Sequence, residues 1–130
     1  MILTVTPNPA LDLTWRVPRL SAGESHRVEG GMARAGGKGL NVARVLHSTG
    51  HAVLAVGTAG GRSGDELIAD LDAGGIPHRF LTVSAATRRS VAVVDEATGR
   101  TTVLNEHGGS LTRDEAQRFL RLARDAAHGC

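Results

Sequence analysis

Residues 35–43 read Ala35-Gly36-Gly37-Lys38-Gly39-Leu40-Asn41-Val42-Ala43, and the apolar spacing continues through Val45 and Leu46 to a stop at Gly50. Glycines lack a Cβ, so Gly36 and Gly37 let a ligand approach the backbone and allow dihedrals closed to other residues. The helix that starts near Lys38 aims free N–H groups and a positive dipole end at that ligand. Two familiar phosphate loops fail here. A Walker A loop would need glycine where Met32 stands and Ser or Thr where Gly39 stands. A Rossmann fingerprint starting at Gly37 meets Gly39 but then Val42, with no clear strand directly before it.

Working outward, Ile2–Thr6 is a short β-branched run closed by Pro7 and Pro9, which suits a buried strand. Leu11–Val17 alternates Leu11, Leu13, Trp15 and Val17 with Asp12, Thr14 and Arg16, a strand with one polar face. His26–Arg34 is a further extended segment. Beyond the glycines, Ala52–Val56 predicts a second buried strand ending in a loop at Gly57–Gly64. Asp65–Ala73 predicts a helix with acids in its first turn, ended by Gly74-Gly75, and Ile76-Pro77 opens the next extended stretch. Ser90–Asp95 and Thr101–Asn105 predict a hairpin around Glu96–Arg100. Thr112 and Glu115 form a capping box for a last helix, Arg113–Ala127, with an apolar stripe of Ala116, Phe119, Leu120, Ala123 and Ala126. Arg118, Arg121 and Arg124 fall on its solvated side. The strand–helix alternation predicts an α/β fold with a parallel sheet and an accessory antiparallel layer. Three helices are few for so many strands, and the chain stops after a helix, so the expectation is a truncated domain.

Composition narrows the function. The chain has 130 residues, 41% hydrophobic and 22% charged, which excludes disordered and fibrous classes. Aromatics are 2% (Trp15, Phe80, Phe119), too few to supply the stacking platforms of a single-strand nucleic-acid binder. The net charge is +2 and the basic residues are dispersed, all arginine except Lys38, so no nucleic-acid partner is expected. One cysteine, Cys130, permits no internal disulfide and fits a reducing cytoplasm. Six histidines show no zinc spacing, so no metal site is expected. No apolar run approaches the roughly 18 residues of a membrane span, and the N-terminus lacks a signal-peptide pattern. The expectation is a cytoplasmic metabolic protein with no membrane partner.

The pattern as a whole resembles the phosphofructokinase-B (ribokinase-like) carbohydrate kinase family. It is carried by Thr6-Pro7-Asn8-Pro9-Ala10-Leu11-Asp12, Gly23-Glu24 with Arg27, the glycine stretch from Gly36, Gly60-Gly61 with Ser63-Gly64, Thr87-Arg88 and Asn105-Glu106. The details resemble the branch with 1-phosphofructokinase and tagatose-6-phosphate kinase, over its N-terminal portion. The resemblance implies a ribokinase-like three-layer sandwich with an accessory β-sheet lid made of strands near 11–17, 26–34, 90–95 and 101–105. It implies ATP-dependent phosphorylation of a sugar phosphate, of the fructose 1-phosphate or tagatose 6-phosphate type. Asp12, Gly36, Gly37, Lys38 and Asn41 would line the sugar site, and Lys38, Arg88 and Arg27 would hold the substrate phosphate.

The chemistry suits those roles. Asp12 can accept two hydroxyls with one carboxylate, Asn41 both donates and accepts, and an arginine fork matches a phosphate. Taken singly, Asp12 reads equally as a solvent-facing strand residue, Asn41 as a cap, Gly36-Gly37 as a turn and the arginines as edge-strand charges. Ser90 departs from the family, which has Asn there, and His107 and Gly109 replace prolines. Gly64-Asp65 is similar in outline to the family's Gly-x-Gly-Asp catalytic motif, but that motif belongs to the C-terminal half. Asp65 is therefore read as a helix-dipole acid, and no catalytic base is assigned in this chain. ATP and Mg2+ are implied for the intact enzyme, with the nucleotide site outside these residues. The resemblance also implies a homodimer through the lid sheet, for which Leu11, Leu13 and Trp15 would form the exposed face. Two other readings stay open: a non-catalytic sugar-phosphate-binding or interaction fragment, and a kinase for an unphosphorylated sugar or a nucleoside.

Overall fold

The computed structural model describes all 130 residues and contains two sheets. The elements are β1 (Ile2–Thr6), β2 (Ala10–Val17), β3 (Met32–Gly36), α1 (Lys38–Ser48), β4 (Val53–Ala59), α2 (Gly61–Ala73), β5 (His78–Thr82), β6 (Arg88–Asp95), β7 (Thr101–Asn105) and α3 (Arg113–His128). β1, β4 and β5 form a parallel sheet in the order β1-β4-β5. The central strand, β4, is buried along its whole length, as a strand covered on both faces must be. Helices α1 and α2 cover one face through Leu40, Ala43, Leu67 and Leu71 packed on Val53 and Ala55. Helix α3 covers the other through Phe119 and Ala126 on Leu54 and Val56. The result is a three-layer α/β/α sandwich. No helix is long and apolar enough to cross a membrane.

The second sheet runs β3-β2-β6-β7, with β2–β6 parallel and the outer pairs antiparallel. β2 and β3 follow one another only through the long segment 18–31, and β3 leads directly into α1. The joint between sheet and sandwich is therefore Ala35-Gly36-Gly37. Asp70 of α2 pins it by accepting the Ala35 N–H at 2.8 Å, and Arg44 of α1 donates to the Ala35 carbonyl at 3.0 Å and to Asp70 at 2.9 Å.

Several boundaries differ from the sequence expectation. The segment 26–34 is not one strand: pairing begins at Met32 and runs to Gly36. Gly31 crosses over β2, where a Cβ would lie 2.6 Å from the Thr14 carbonyl oxygen and 2.9 Å from the Trp15 indole nitrogen, so the preceding residues cannot run alongside. The expected loop 57–64 is instead the end of β4 followed by the first turn of α2. Tertiary docking overrides the low helix propensity of Gly61 and Gly64. The Gly60 N–H donates to Thr87 Oγ1 at 3.0 Å, and Ser63 Oγ donates to the Thr87 carbonyl at 2.6 Å. Asp65 consequently lies beyond the first turn, exposed, and is not the dipole acid expected of it.

On α3, Leu120 is 64% exposed, while Glu115, Phe119 and Ala126 are buried and Leu122 packs beside them. Leu11 is buried as well, so it does not belong to an exposed face of the second sheet. Leu13 and Trp15 remain half-buried on that face.

Glu115 closes the capping box of α3 and ties the helix to the loop after β5. It accepts from the Thr112 N–H at 2.9 Å and the Ser84 N–H at 2.7 Å. These donors, Thr112 first, hold its carboxyl below the ordinary glutamate range. A lowered folded pKa contributes stability that is present above the unfolded value of about 4.3 and is lost as pH falls through the folded one. Glu115→Gln is therefore expected to lower the melting temperature at pH 7, with the difference from wild type shrinking toward pH 2–3. Thermal melts across that range check it; a constant difference would contradict it.

Candidate functional site

β2 enters the site carrying Asp12, and the backbone of Gly36 on β3 lies directly against it. A Cβ at Gly36 would overlap the Asp12 carboxylate, so glycine is the only residue that leaves this acid its place. The next residue, Gly37, holds φ +110, a conformation that L side chains rarely adopt, and it is the N-cap of α1. A Cβ there would also press on Thr6 Cγ2 and Pro9 Cα, at 3.1 and 3.3 Å. Gly39 faces the buried hydroxyl of Thr6, which has no hydrogen-bond partner and which any side chain at 39 would strike. Each glycine of the stretch thus has a steric reason of its own.

The start of α1 is arranged against its own stability. No side chain caps it, no acid lies in its first turn, and its first residue is Lys38, an exposed cation at the positive dipole end. Asn41 is exposed one turn in; its N–H donates to the Gly37 carbonyl at 2.9 Å, and its side-chain amide is unengaged. Asp12, Gly36, Gly37, Lys38 and Asn41 are therefore gathered where β2, β3 and α1 meet.

Asp12 is half-buried and makes neither a hydrogen bond nor an ion pair with the protein. Burial raises its pKa above the ordinary carboxylate value, opposed by the charges of Arg88, then Arg34, then Arg44. Arg88, at the start of β6, pairs in register with Ala10, two residues before Asp12, which puts both side chains on one face of the sheet. Its Nε donates to the Asn8 carbonyl at 3.2 Å, and Asn8 in turn donates to the His107 carbonyl at 3.2 Å. Arg88 also borders a cavity of about 280 Å³ with Pro7, Asn8, Thr58 and Thr87, beyond the carboxyl ends of β1 and β4. In open α/β sheets that is where ligands sit.

Arg27 stands apart from Arg88. It lines a second cavity of about 690 Å³ with Thr14, Trp15, Arg16, Met32 and Arg34, toward the outer end of the second sheet. Ser90 sits in register with Asp12 and hydrogen-bonds Asn105 across the hairpin. Sequence reasoning missed Arg44 and Asp70, the pair that anchors β3 just before the glycines. They are 26 residues apart on different helices, and no local pattern links them.

The arrangement offers a carboxylate acceptor, an amide, free N–H groups and cations close to the strand-to-helix joint. That set suits a polyhydroxylated guest bearing an anionic group. No group of three or more Asp, Glu, His or Cys side chains converges anywhere, and the N-terminus of α2 is filled by the Val83–Thr87 loop.

The model of the pfkB family carbohydrate kinases matches residues 8–127. The phosphofructokinase-2 of Escherichia coli, solved with fructose 6-phosphate, superposes with TM-score 0.87 at 29% identity over 91% of this chain and 39% of its own. A possible 1-phosphofructokinase from Thermotoga maritima gives TM-score 0.87 at 32% identity over 93% of this chain and 39% of its own. Ribokinase from Giardia lamblia gives 0.69 at 26% identity, over 83% and 36%. The chain spans well under half the length of these proteins.

The raised pKa of Asp12 has a consequence for stability. At pH above the folded value its charge is penalised in the fold relative to the unfolded chain, and the penalty fades as pH falls toward about 3.9. Asp12→Asn is thus expected to melt higher than wild type at pH 7–8, with the gain vanishing near pH 3–4. Melting curves at matched ionic strength check the sign; a lower melting temperature at neutral pH would contradict it.

Proposed function

This chain belongs to the pfkB family of carbohydrate kinases, and we propose that it supplies the sugar-binding half of an ATP-dependent kinase for a sugar phosphate. The observation that carries this reading is the unpartnered Asp12 carboxylate seated against Gly36, with Arg88 on the same face. In the proposal Asp12 accepts two neighbouring hydroxyls, Asn41 orients a third, and the N-terminus of α1 receives electron-rich oxygens. Gly36 leaves room for the Asp12 carboxylate, and Gly37 turns the chain into α1 beside it. Lys38 and Arg88 hold the phosphate already on the substrate, with Arg27 contributing from the outer end of the sheet.

A substrate of the fructose 1-phosphate or tagatose 6-phosphate class fits these groups, because a neutral sugar leaves Arg88 and Lys38 without a counter-charge. The second sheet, β3-β2-β6-β7, is the lid. Its half-buried apolar face, with Leu13, Val91, Trp15 and the 66% exposed Leu104, suits a second copy of the chain. ATP with Mg2+ is the donor in the whole enzyme, and these residues supply no place for it. The chain therefore binds sugar phosphate and does not itself transfer a phosphoryl group. A cytoplasmic setting completes the proposal.

Calorimetry tests it. The chain is expected to bind fructose 1-phosphate or tagatose 6-phosphate, with Arg88→Ala weakening the phosphorylated sugar about tenfold or more and fructose by less than about twofold. Equal losses for both sugars would point to an unphosphorylated substrate, and no binding would overturn the reading. Turnover of fructose 1-phosphate with ATP above blank would refute the claim that the chain is inactive alone.

A further inference from the structure

The second sheet carries one rung on which all four residues are polar. Arg34 on β3, Asp12 on β2, Ser90 on β6 and Asn105 on β7 are consecutive register partners. Directly opposed residues point to the same face, so Arg34 shares the face of Asp12 and, two residues along, of Arg88. The next rung outward on the same face is Met32, Thr14, Ala92 and Val103, which carries no charge.

An aspartate and an arginine directly opposite each other on antiparallel strands are placed to close an ion pair. Here they do not: the ion pairs of the chain are Arg44–Asp70, His78–Asp72 and Arg118–Asp114, and Arg34 also makes no hydrogen bond. The strand pairing holds both groups on one face yet leaves Asp12 free to accept and Arg34 free to donate. Arg34 and Arg88 stand on the two strands flanking β2, opposite Asp12 and Ala10 respectively, so their backbones are about 12 Å apart. Two long guanidinium side chains rising from that separation can converge over a group seated above β2.

We propose that Arg34 is a second phosphate-holding residue of the sugar site, facing Arg88 across Asp12 and gripping the same phosphate monoester. Arg34 borders the 690 Å³ outer cavity that also takes in Arg27, so it links the sugar hollow to that cavity. Lys38 approaches from the helix side, while Arg88 and Arg34 approach from the sheet. Arg34 fixes where the phosphate lies, and so selects the phosphorylated sugar over the neutral one. The inference rests on the sugar-phosphate reading above, and it assigns a residue that the motif pattern does not contain.

Calorimetry with fructose 1-phosphate, tagatose 6-phosphate and fructose tests it on wild type, Arg34→Ala, Arg34→Gln, Arg88→Ala and Arg100→Ala. Arg100 lies outside the site, at the foot of β7, and controls for bulk charge. Both Arg34 variants are expected to weaken the phosphorylated sugar about tenfold, fructose by less than about twofold, and Arg100→Ala to change neither. Arg34→Gln keeps the side chain's length, so a loss shared by both variants at unchanged melting temperature reports the charge. If Arg88→Ala loses the phosphorylated sugar while both Arg34 variants bind like wild type, Arg34 is only an edge-strand charge and the inference fails alone. If wild type binds no sugar phosphate, the parent reading fails and takes this one with it.

Discussion

The constraint on which the candidate site depends is the close approach of the Asp12 carboxylate to the bare backbone of Gly36. Both residues belong to the second sheet, just where β3 becomes α1, and a Cβ at residue 36 would overlap that carboxylate. The Asp70–Arg44 pair anchors Ala35 on one side of this contact, and the positive φ of Gly37 turns the chain into α1 on the other. The second sheet and the sandwich thus meet at a run of glycines, with Asp12, Lys38 and Asn41 beside it.

Those groups are placed at some cost to the fold. A lysine begins a helix whose N-terminus favours anions, an aspartate is partly desolvated without a partner, and an arginine opposite it forms no ion pair. Elsewhere the chain follows ordinary rules: Thr112 and Glu115 cap α3 reciprocally, and α2 ends at Gly74-Gly75. Local consistency elsewhere, with conflict concentrated at these residues, is the pattern that the proposed ligand role accounts for.

Much of this was legible in the residues. The β-branched run of β1, the hairpin of β6 and β7, and the capping box of α3 are local patterns, and each element formed where its pattern lies. The glycine stretch marked the start of α1, but the strand that leads directly into it, β3, was not clear from the sequence. What was illegible came from contacts between distant residues. α2 begins four residues early because Thr87, 27 residues away, satisfies Gly60. β3 begins late because Gly31 rides over Trp15. The place of Arg34 opposite Asp12 depends on β2–β3 register, which no spacing along the chain discloses.

The central proposal is a sugar phosphate held by Asp12 and the start of α1. Backbone amide chemical shifts followed by NMR during titration of the chain with fructose 1-phosphate test this most directly. The largest changes are expected at Gly36 through Asn41 and at Asp12, with a second group at Arg88 and Arg34. Saturating shifts confined to α3 or the β6–β7 turn, with residues 36–41 unmoved, would contradict it.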